Sequence, residues 1–506
     1  MNESPIFRET MPRFLHLSLN RKYIHPRLRR SITLQAQASN GNNYPSTIAA
    51  ILTEKNIKTG TQRSISFTSN GSSTLSPPPP SQSAPASIKS FFLPQGWPSS
   101  VTEDYLNYQI YSFPCHIFGW MSHSLAGSSM LKALGIGVGP AGAVGFSAAI
   151  KWVTKDGVGA AGRLFVGGKL SAVFDEDPKR WRMIAEAVTS LGLALEIATQ
   201  LFPANFVTLA GAGTLAKATG RGMGRPCFRV VQTHFAAKNN VGDVSAKEEV
   251  WEVTAQMTGL AASVALLSFL EATGTPEAVV PIWAAIHSIH VALRYAAMKQ
   301  LRFPFPNFKR GTALVHRFIS SRGKEILTVE EANKEEKMLQ GPEYGPDGLQ
   351  CVLGCSIEEL LGSIEPPLNN TYHRELSGGR GEDDVLKILI ELYEKERYIL
   401  TWRDGVAYVV LWESADAVDM LRALWQAAWL QNGIHKMKGA EGESGKESIG
   451  VVVFEKLEES LRIMQSEFPE LENGANKVGW ELERGVYPTG SFCLSQGQGA
   501  LEETEA

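Results

Sequence analysis

Cysteine is scarce. The 506-residue chain has five, Cys115, Cys227, Cys351, Cys355 and Cys493, too few and too scattered for a disulfide framework. That usage suits a reducing compartment such as cytosol or plastid stroma. Cys351-Val-Leu-Gly-Cys355 has neither the C-x-x-C redox spacing nor companion ligands for zinc, so both read as ordinary thiols. There is no G-x-S-x-G nucleophile elbow and no H-E-x-x-H, which removes the serine-hydrolase and zinc-protease signatures. A concentrated basic face is also missing after the first ninety residues, since the net charge of −3 over the whole chain leaves −11 for that part. An acidic body gives no case for nucleic acid. The N-terminus has no apolar run of the secretory kind.

What the N-terminus does have is charge of one sign. Residues 1–89 hold seven Arg and four Lys against three Glu and no Asp, a balance of +8, in a Ser- and Asn-rich context ending in Ser76-Pro-Pro-Pro-Pro80. Residues 1–90 are expected to be an organelle transit peptide followed by a disordered Ser/Pro-rich segment, with an unaddressed basic tail as the plain alternative. Composition leaves plastid and mitochondrion both open. Glu3 and Glu9 are out of place there, and a start at Met11 would give a cleaner basic beginning.

Residues 91–325 change character to aromatic, Gly- and Ala-rich helix. Asp177-Pro178 predicts an N-cap with proline at the first helical position, and Ile184, Val188, Leu191 and Leu195 follow on one stripe. Further helices are expected to begin near Thr102, Phe206, Pro226, Ala246 and Ala278. Uncharged runs at 133–150, 197–216, 253–270 and 278–293 are borderline in length for spanning a membrane. Gly135-x-x-x-Gly139 suits close helix packing in lipid, although a tightly packed soluble bundle has the same composition. The expectation is a mainly α, multi-helix Gly/Ala-rich bundle with a membrane-associated core, and then a small α+β C-terminal domain.

That domain is placed at 383–494, after a charged connector at 326–382 and before a disordered acidic tail at 495–506. In the connector, Ser356 and Glu359 form a capping box. Val385–Glu396 reads as an amphipathic helix, and Tyr398–Arg403 and Val406–Trp412 as strands joined by the hairpin signal Asp404-Gly405. Ser414 is expected to cap a helix to about Leu430. A helix at Val452–Glu467 and a short strand at Gly479–Leu482 complete the unit.

The densest polar stretch of the central block runs from Gln232 to Glu252, QTHFAAKNNVGDVSAKEEVWE. Ser245-x-x-Glu248 reads as a second capping box, starting a helix at Ala246 that Gly274 ends. Glu248 and Glu252 then lie four apart on one face, a repulsive spacing that calls for a cation near Glu252. Arg229, Arg180 and Arg163 are the candidates, and His234, Asp243, Lys247 and Glu252 are expected to converge with them on one polar pocket. The competing reading is a structural network locking the helices together, and for Asp177 and Glu249 simple helix-end chemistry. Two G-x-G-x-x-G matches, Gly137–Gly142 and Gly157–Gly162, lack the preceding strand that a dinucleotide site needs, so helix–helix approach explains them better. His287 and His290, three apart, have no third ligand placed by spacing, and no metal site is assigned.

QTHFAAKNNVGDVSAKEEVWE resembles the signature of the root UVB sensitive family. LPQGWPSSVTEDYLNYQ (Leu93–Gln109), WVTKDGVGAAGRL (Trp152–Leu164) and FDEDPKRWRM (Phe174–Met183) extend the likeness over residues 91–320. The resemblance implies a plastid protein linked to UV-B and light responses in seedlings, auxin transport and vitamin B6 homeostasis, with no settled reaction. It places Lys155, Asp156, Arg163, Arg180, Trp181 and Arg182 on motif positions. The full candidate pocket is therefore Lys155, Asp156, Arg163, Arg180, Arg182, Arg229, His234, Asn240, Asp243, Lys247, Glu248 and Glu252. No catalytic residue and no cofactor are named. The first functional reading is a non-enzymatic protein acting through association with a membrane and with other family members. The second is a small-molecule carrier or binding protein, and the third an enzyme of vitamin B6 or nucleotide metabolism.

Overall fold

The computed structural model describes residues 32–35, 48–55, 62–68, 73–75, 89–135, 173–341, 348–362, 382–403, 405–440 and 454–495. Both G-x-G-x-x-G matches lie outside them, as do Lys155, Asp156 and Arg163. The chain forms two units, residues 1–100 and 101–506.

Four short strands are described in the first unit. Strands β1 (Ile32–Gln35), β2 (Ile48–Lys55), β3 (Gln62–Thr68) and β4 (Ser73–Leu75) make an antiparallel sheet in sequential order. Leu52 faces Ile65, and Phe67 faces Ser73. Runs such as Ile48-Ala-Ala-Ile and Ile65-Ser-Phe carry enough β-branched and aromatic side chains to pair despite the polar composition around them.

In the second unit five long helices come first: α1 (Tyr105–Ala133), α2 (Pro178–Leu201), α3 (Phe206–Phe235), α4 (Val241–Ala272) and α5 (Val279–Gln300). Asp177 caps α2 as expected, its side chain accepting from Arg180 N with Pro178 at the first position. Gly274, at φ +64°, follows the end of α4. Two expectations are corrected. Pro226 lies inside α3 rather than opening a helix. Helix α4 begins at Val241 after Asn240, so Ser245 and Glu248 stand inside it and form no capping box. The uncharged run at 197–216 is interrupted at Phe202-Pro203, as Pro203 dictates, where α2 turns into α3.

Helices α2 and α3 pack backbone against backbone. A Cβ on Gly192 would come within 2.6 Å of the Gly213 carbonyl oxygen, and one on Gly213 within 2.7 Å of the Gly192 carbonyl. Only hydrogen fits at that crossing, which explains the glycines at these two positions. Helices α2, α4 and α5 are each long and apolar enough to cross a membrane.

The C-terminal half has one continuous apolar core that starts at Phe308, on α6 (Phe308–Ser320), and runs to Tyr487. After α7 (Val329–Glu335), the connector supplies strand β5 (Gln350–Leu353) and α8 (Ile357–Leu361). Then come α9 (Glu382–Leu392), β6 (Tyr398–Arg403), β7 (Val406–Leu411), α10 (Ala417–Ala440) and α11 (Phe454–Lys477). The sheet order is β5-β7-β6, with β6 antiparallel and β5 parallel to the central strand. Ser356 and Glu359 make the capping box expected of them. The first turn of α10 is held by Asp416 rather than Ser414, its Oδ1 accepting from Val418 N and Asp419 N. Leu482–Arg484 is a short 3-10 turn, where a strand was expected.

Candidate functional site

Five helices leave a cavity of about 530 Å³ at the end of the bundle where α1, α2 and α4 begin and α3 and α5 finish. Helix α3 contributes Arg221, Arg225 and Arg229, spaced four apart and therefore on one face. Helix α4 answers with Ser245, Glu248, Glu249 and Glu252. Arg182 comes from the first turns of α2, His116 from α1 and Arg294 from the end of α5. Gly224 lets the arginines in, since a Cβ there would lie 2.8 Å from Arg182 Nη1.

Two of the cations are anchored from behind. Arg294 Nε donates to Glu186 Oε2 at 3.2 Å, and Arg182 Nη1 lies 3.8 Å from the same oxygen. Glu186 Oε1 is 2.7 Å from His290 Nε2, while His290 Nδ1 donates to the Cys115 carbonyl at 2.8 Å. His287 is taken by Ser190 at 2.8 Å and Ser122 at 3.4 Å. The two histidines thus tie α1, α2 and α5 together behind the cavity. Arg225 and Arg229 form no ion pair among the described residues. Gln232 is buried in the cavity wall; its Nε2 donates to Ser245 Oγ at 3.3 Å, and its Oε1 has no hydrogen-bond partner among the described residues.

Of the candidate residues, Arg182, Arg229, Glu248 and Glu252 share this cavity wall. Arg180 does not reach it; its guanidinium sits 6.0 Å from the Trp181 ring. His234 leaves the cluster for Asp104, with Nε2 2.8 Å from Oδ2. Burial would raise the Asp104 carboxyl, but the hydrogen bond and charge of His234, helped by the Arg302 amide, hold it below its ordinary value. Asn240 marks the start of α4 and accepts from Lys238 N at 3.4 Å, and Asp243 is in the first turn. Neither they nor Lys247 line the cavity. Sequence reasoning missed Arg221, Arg225, Arg294, His116 and Gln232. The four-residue spacing of Arg221, Arg225 and Arg229 was the available signal.

Asp177 does more than cap. Its Oδ2 pairs with Lys309 Nζ at 2.5 Å. Lys179 Nζ pairs with Glu336 at 2.9 Å, and Arg310 Nη1 reaches Glu336 Oε1 at 3.0 Å. All these groups are buried and join the bundle to the C-terminal half.

The fold and site define a class: a helical bundle with three candidate membrane spans, enclosing an arginine-lined cavity and docked on a mixed α/β C-terminal region. Two family models match the chain, the vitamin B6 photo-protection and homoeostasis domain over residues 79–322 and the root UVB sensitive protein C-terminal region over 325–487. The chain belongs to the root UVB sensitive family. It is 36% identical to protein root UVB sensitive 5 of Arabidopsis thaliana over 407 residues, 79% of this chain and 74% of that one. RUS family member 1 of Dictyostelium discoideum is 30% identical over 250 residues, 49% of this chain and 47% of that protein. Protein root UVB sensitive 2, chloroplastic, of Arabidopsis is 30% identical over 211 residues, 42% of this chain and 46% of its own length. No solved structure matches.

Proposed function

We propose that this protein is a membrane-embedded binding protein that carries a small phosphorylated anion, a phosphorylated form of vitamin B6. The observation behind this is the cavity: five arginines around about 530 Å³, three of them (Arg221, Arg225 and Arg229) without an ion-pair partner among the described residues. That volume is in the usual range for small-molecule sites. Guanidinium groups fork onto phosphate oxygens. Glu252, across the cavity, suits the cationic nitrogen of a pyridinium or ammonium group, and Gln232 Oε1 offers an acceptor to a ligand N–H or O–H. The vitamin B6 name of the matched domain supplies the ligand class. The plastid is the compartment supported by the basic N-terminal segment and by a relative named as chloroplastic. The light and auxin responses linked to the family would follow from this binding step, and family members are the expected protein partners.

The test is equilibrium binding of pyridoxal 5′-phosphate to the full-length protein in detergent micelles. Saturable binding, competed by inorganic phosphate, is expected. Replacing Arg225 and Arg229 together with alanine should weaken it roughly 10–100-fold, the scale of losing charged hydrogen bonds. Non-saturable binding by the wild type, or unchanged affinity in the double variant, would reject the reading.

A further inference from the structure

Glu248 sits in the cavity wall without a cation of its own. It is 6% exposed, and Gln109 Nε2 donates to its Oε1, a bond that brings no charge. One helical turn on, Glu252 lines the same cavity, and neither acid forms an ion pair among the described residues. Glu249, the third acid of the wall, is exposed to solvent. On α1, Tyr105 and Tyr108 are near enough to Glu248 to feel its charge. The positive groups of the wall are Arg221, Arg225 and Arg229 on α3, Arg182 on α2 and Arg294 on α5, the last two already shared with Glu186. His116 completes the titratable set on α1.

An anion drawn in by those arginines arrives beside two carboxylates. Like charges at such separations repel strongly where water is sparse, and the buried carboxylate is the one solvent screens least. We infer that Glu248 takes up a proton when the cavity takes its anion, so that anion and proton are loaded together. The proton comes from solvent and ends on the Glu248 carboxylate. Gln109 serves both states, because turning its amide exchanges an N–H donor for a carbonyl acceptor that a carboxylic acid can use. Glu252, half-buried, keeps its charge for the cationic end of the ligand.

This inference rests on the cavity reading above, and one experiment separates the two. Calorimetric titration of the full-length protein in detergent with pyridoxal 5′-phosphate is run near pH 8, where the ligand phosphate is already a dianion, in buffers of different ionisation enthalpy. The wild type should take up protons on binding, approaching one per ligand as pH rises and free Glu248 ionises, and Kd should then rise about tenfold per pH unit. Glu248→Gln should still bind, with uptake near zero and a flat pH profile, while Glu252→Gln, which loses the contact to the cationic end, should bind more weakly but with the same uptake per ligand bound. Binding by the wild type without proton uptake would overturn the inference, as would full uptake by Glu248→Gln. The wild-type buffer series decides even if Glu248→Gln fails to fold. No binding by a folded wild type would overturn the cavity reading and this inference with it.

Discussion

Trp425, Phe468 and Tyr398 are fully buried in the C-terminal half, in a core built of apolar side chains. In the helical bundle, Met257, Val264 and Phe269 are 68%, 66% and 62% exposed, while Glu186, Glu196, His290 and Arg294 are inside. The bundle's buried apolar residues fall into small separate clusters, such as Phe174 with Ala185, Met223 and Cys227. On the membrane reading proposed above, each half is arranged against a different surrounding medium. Water rewards the first arrangement through apolar burial, whereas lipid accepts an apolar exterior and leaves polar side chains to be satisfied within. The ionised groups therefore concentrate where the helices meet, and the cavity is built from them.

The largest test of that contrast is a matched pair of truncations. Phe468→Ala should destabilise the C-terminal half by about 3–5 kcal/mol, the usual result for a core phenylalanine. Phe269→Ala should change stability in detergent very little, since Phe269 is 62% exposed. Denaturant midpoints of the two purified variants give the comparison, and equal losses would break it.

The buried junction between the halves gives the next effect. Burial pushes the Glu336 carboxyl upward, but the charges of Arg310 and Lys179 outweigh this and hold it at about 2, against an ordinary 4.5. Because the folded value is the lower one, its stabilisation is fully present above about pH 4.5. It is lost as pH falls from there towards about 2, and amounts to about 3 kcal/mol. Proteolysis at the connection between α5 and α6, followed across that pH window with an acid-active protease, should accelerate in the wild type. Glu336→Gln should be susceptible already at neutral pH and show a weaker acid response.

The sequence was easiest to read where local chemistry decides the outcome. Asp177-Pro178, Ser356-x-x-Glu359 and the β6–β7 hairpin all form as their residues dictate. It misled where packing overrides local preference. Pro226 continues in α3 because only one backbone bond is forfeited in a long, well-packed helix. β5 was hidden in a charged connector because its four residues, Gln350 to Leu353, gain their place only by pairing with β7. The candidate site was half legible: spacing placed Glu248 and Glu252 on one face, and it should also have singled out Arg221, Arg225 and Arg229. Arg294 and His116 come from distant helices, and only the tertiary fold brings them to the same wall.

The smallest effect uses one motif in both settings. Ser245-x-x-Glu248 and Ser356-x-x-Glu359 have the same spacing, yet only the second caps a helix. Ser356 Oγ accepts from Glu359 N at 3.1 Å, and Glu359 Oε2 accepts from Ser356 N at 2.8 Å, satisfying two amides that a short exposed helix would otherwise leave to water. Ser245 lies past the first turn of α4, where the backbone amides already have helical partners, and its hydroxyl accepts only the 3.3 Å bond from Gln232. Helices α1, α3, α4 and α5 of the bundle all start without a side-chain cap, whereas α6, α7 and α8 each have one. Ser356→Ala should therefore cost about 1 kcal/mol, read as a roughly fivefold faster amide exchange across residues 357–361. Ser245→Ala should leave exchange at the start of α4 unchanged, because no cap is lost. Faster exchange there would show that the motif acts in the bundle after all, and the contrast between the two halves would not extend to their helix ends.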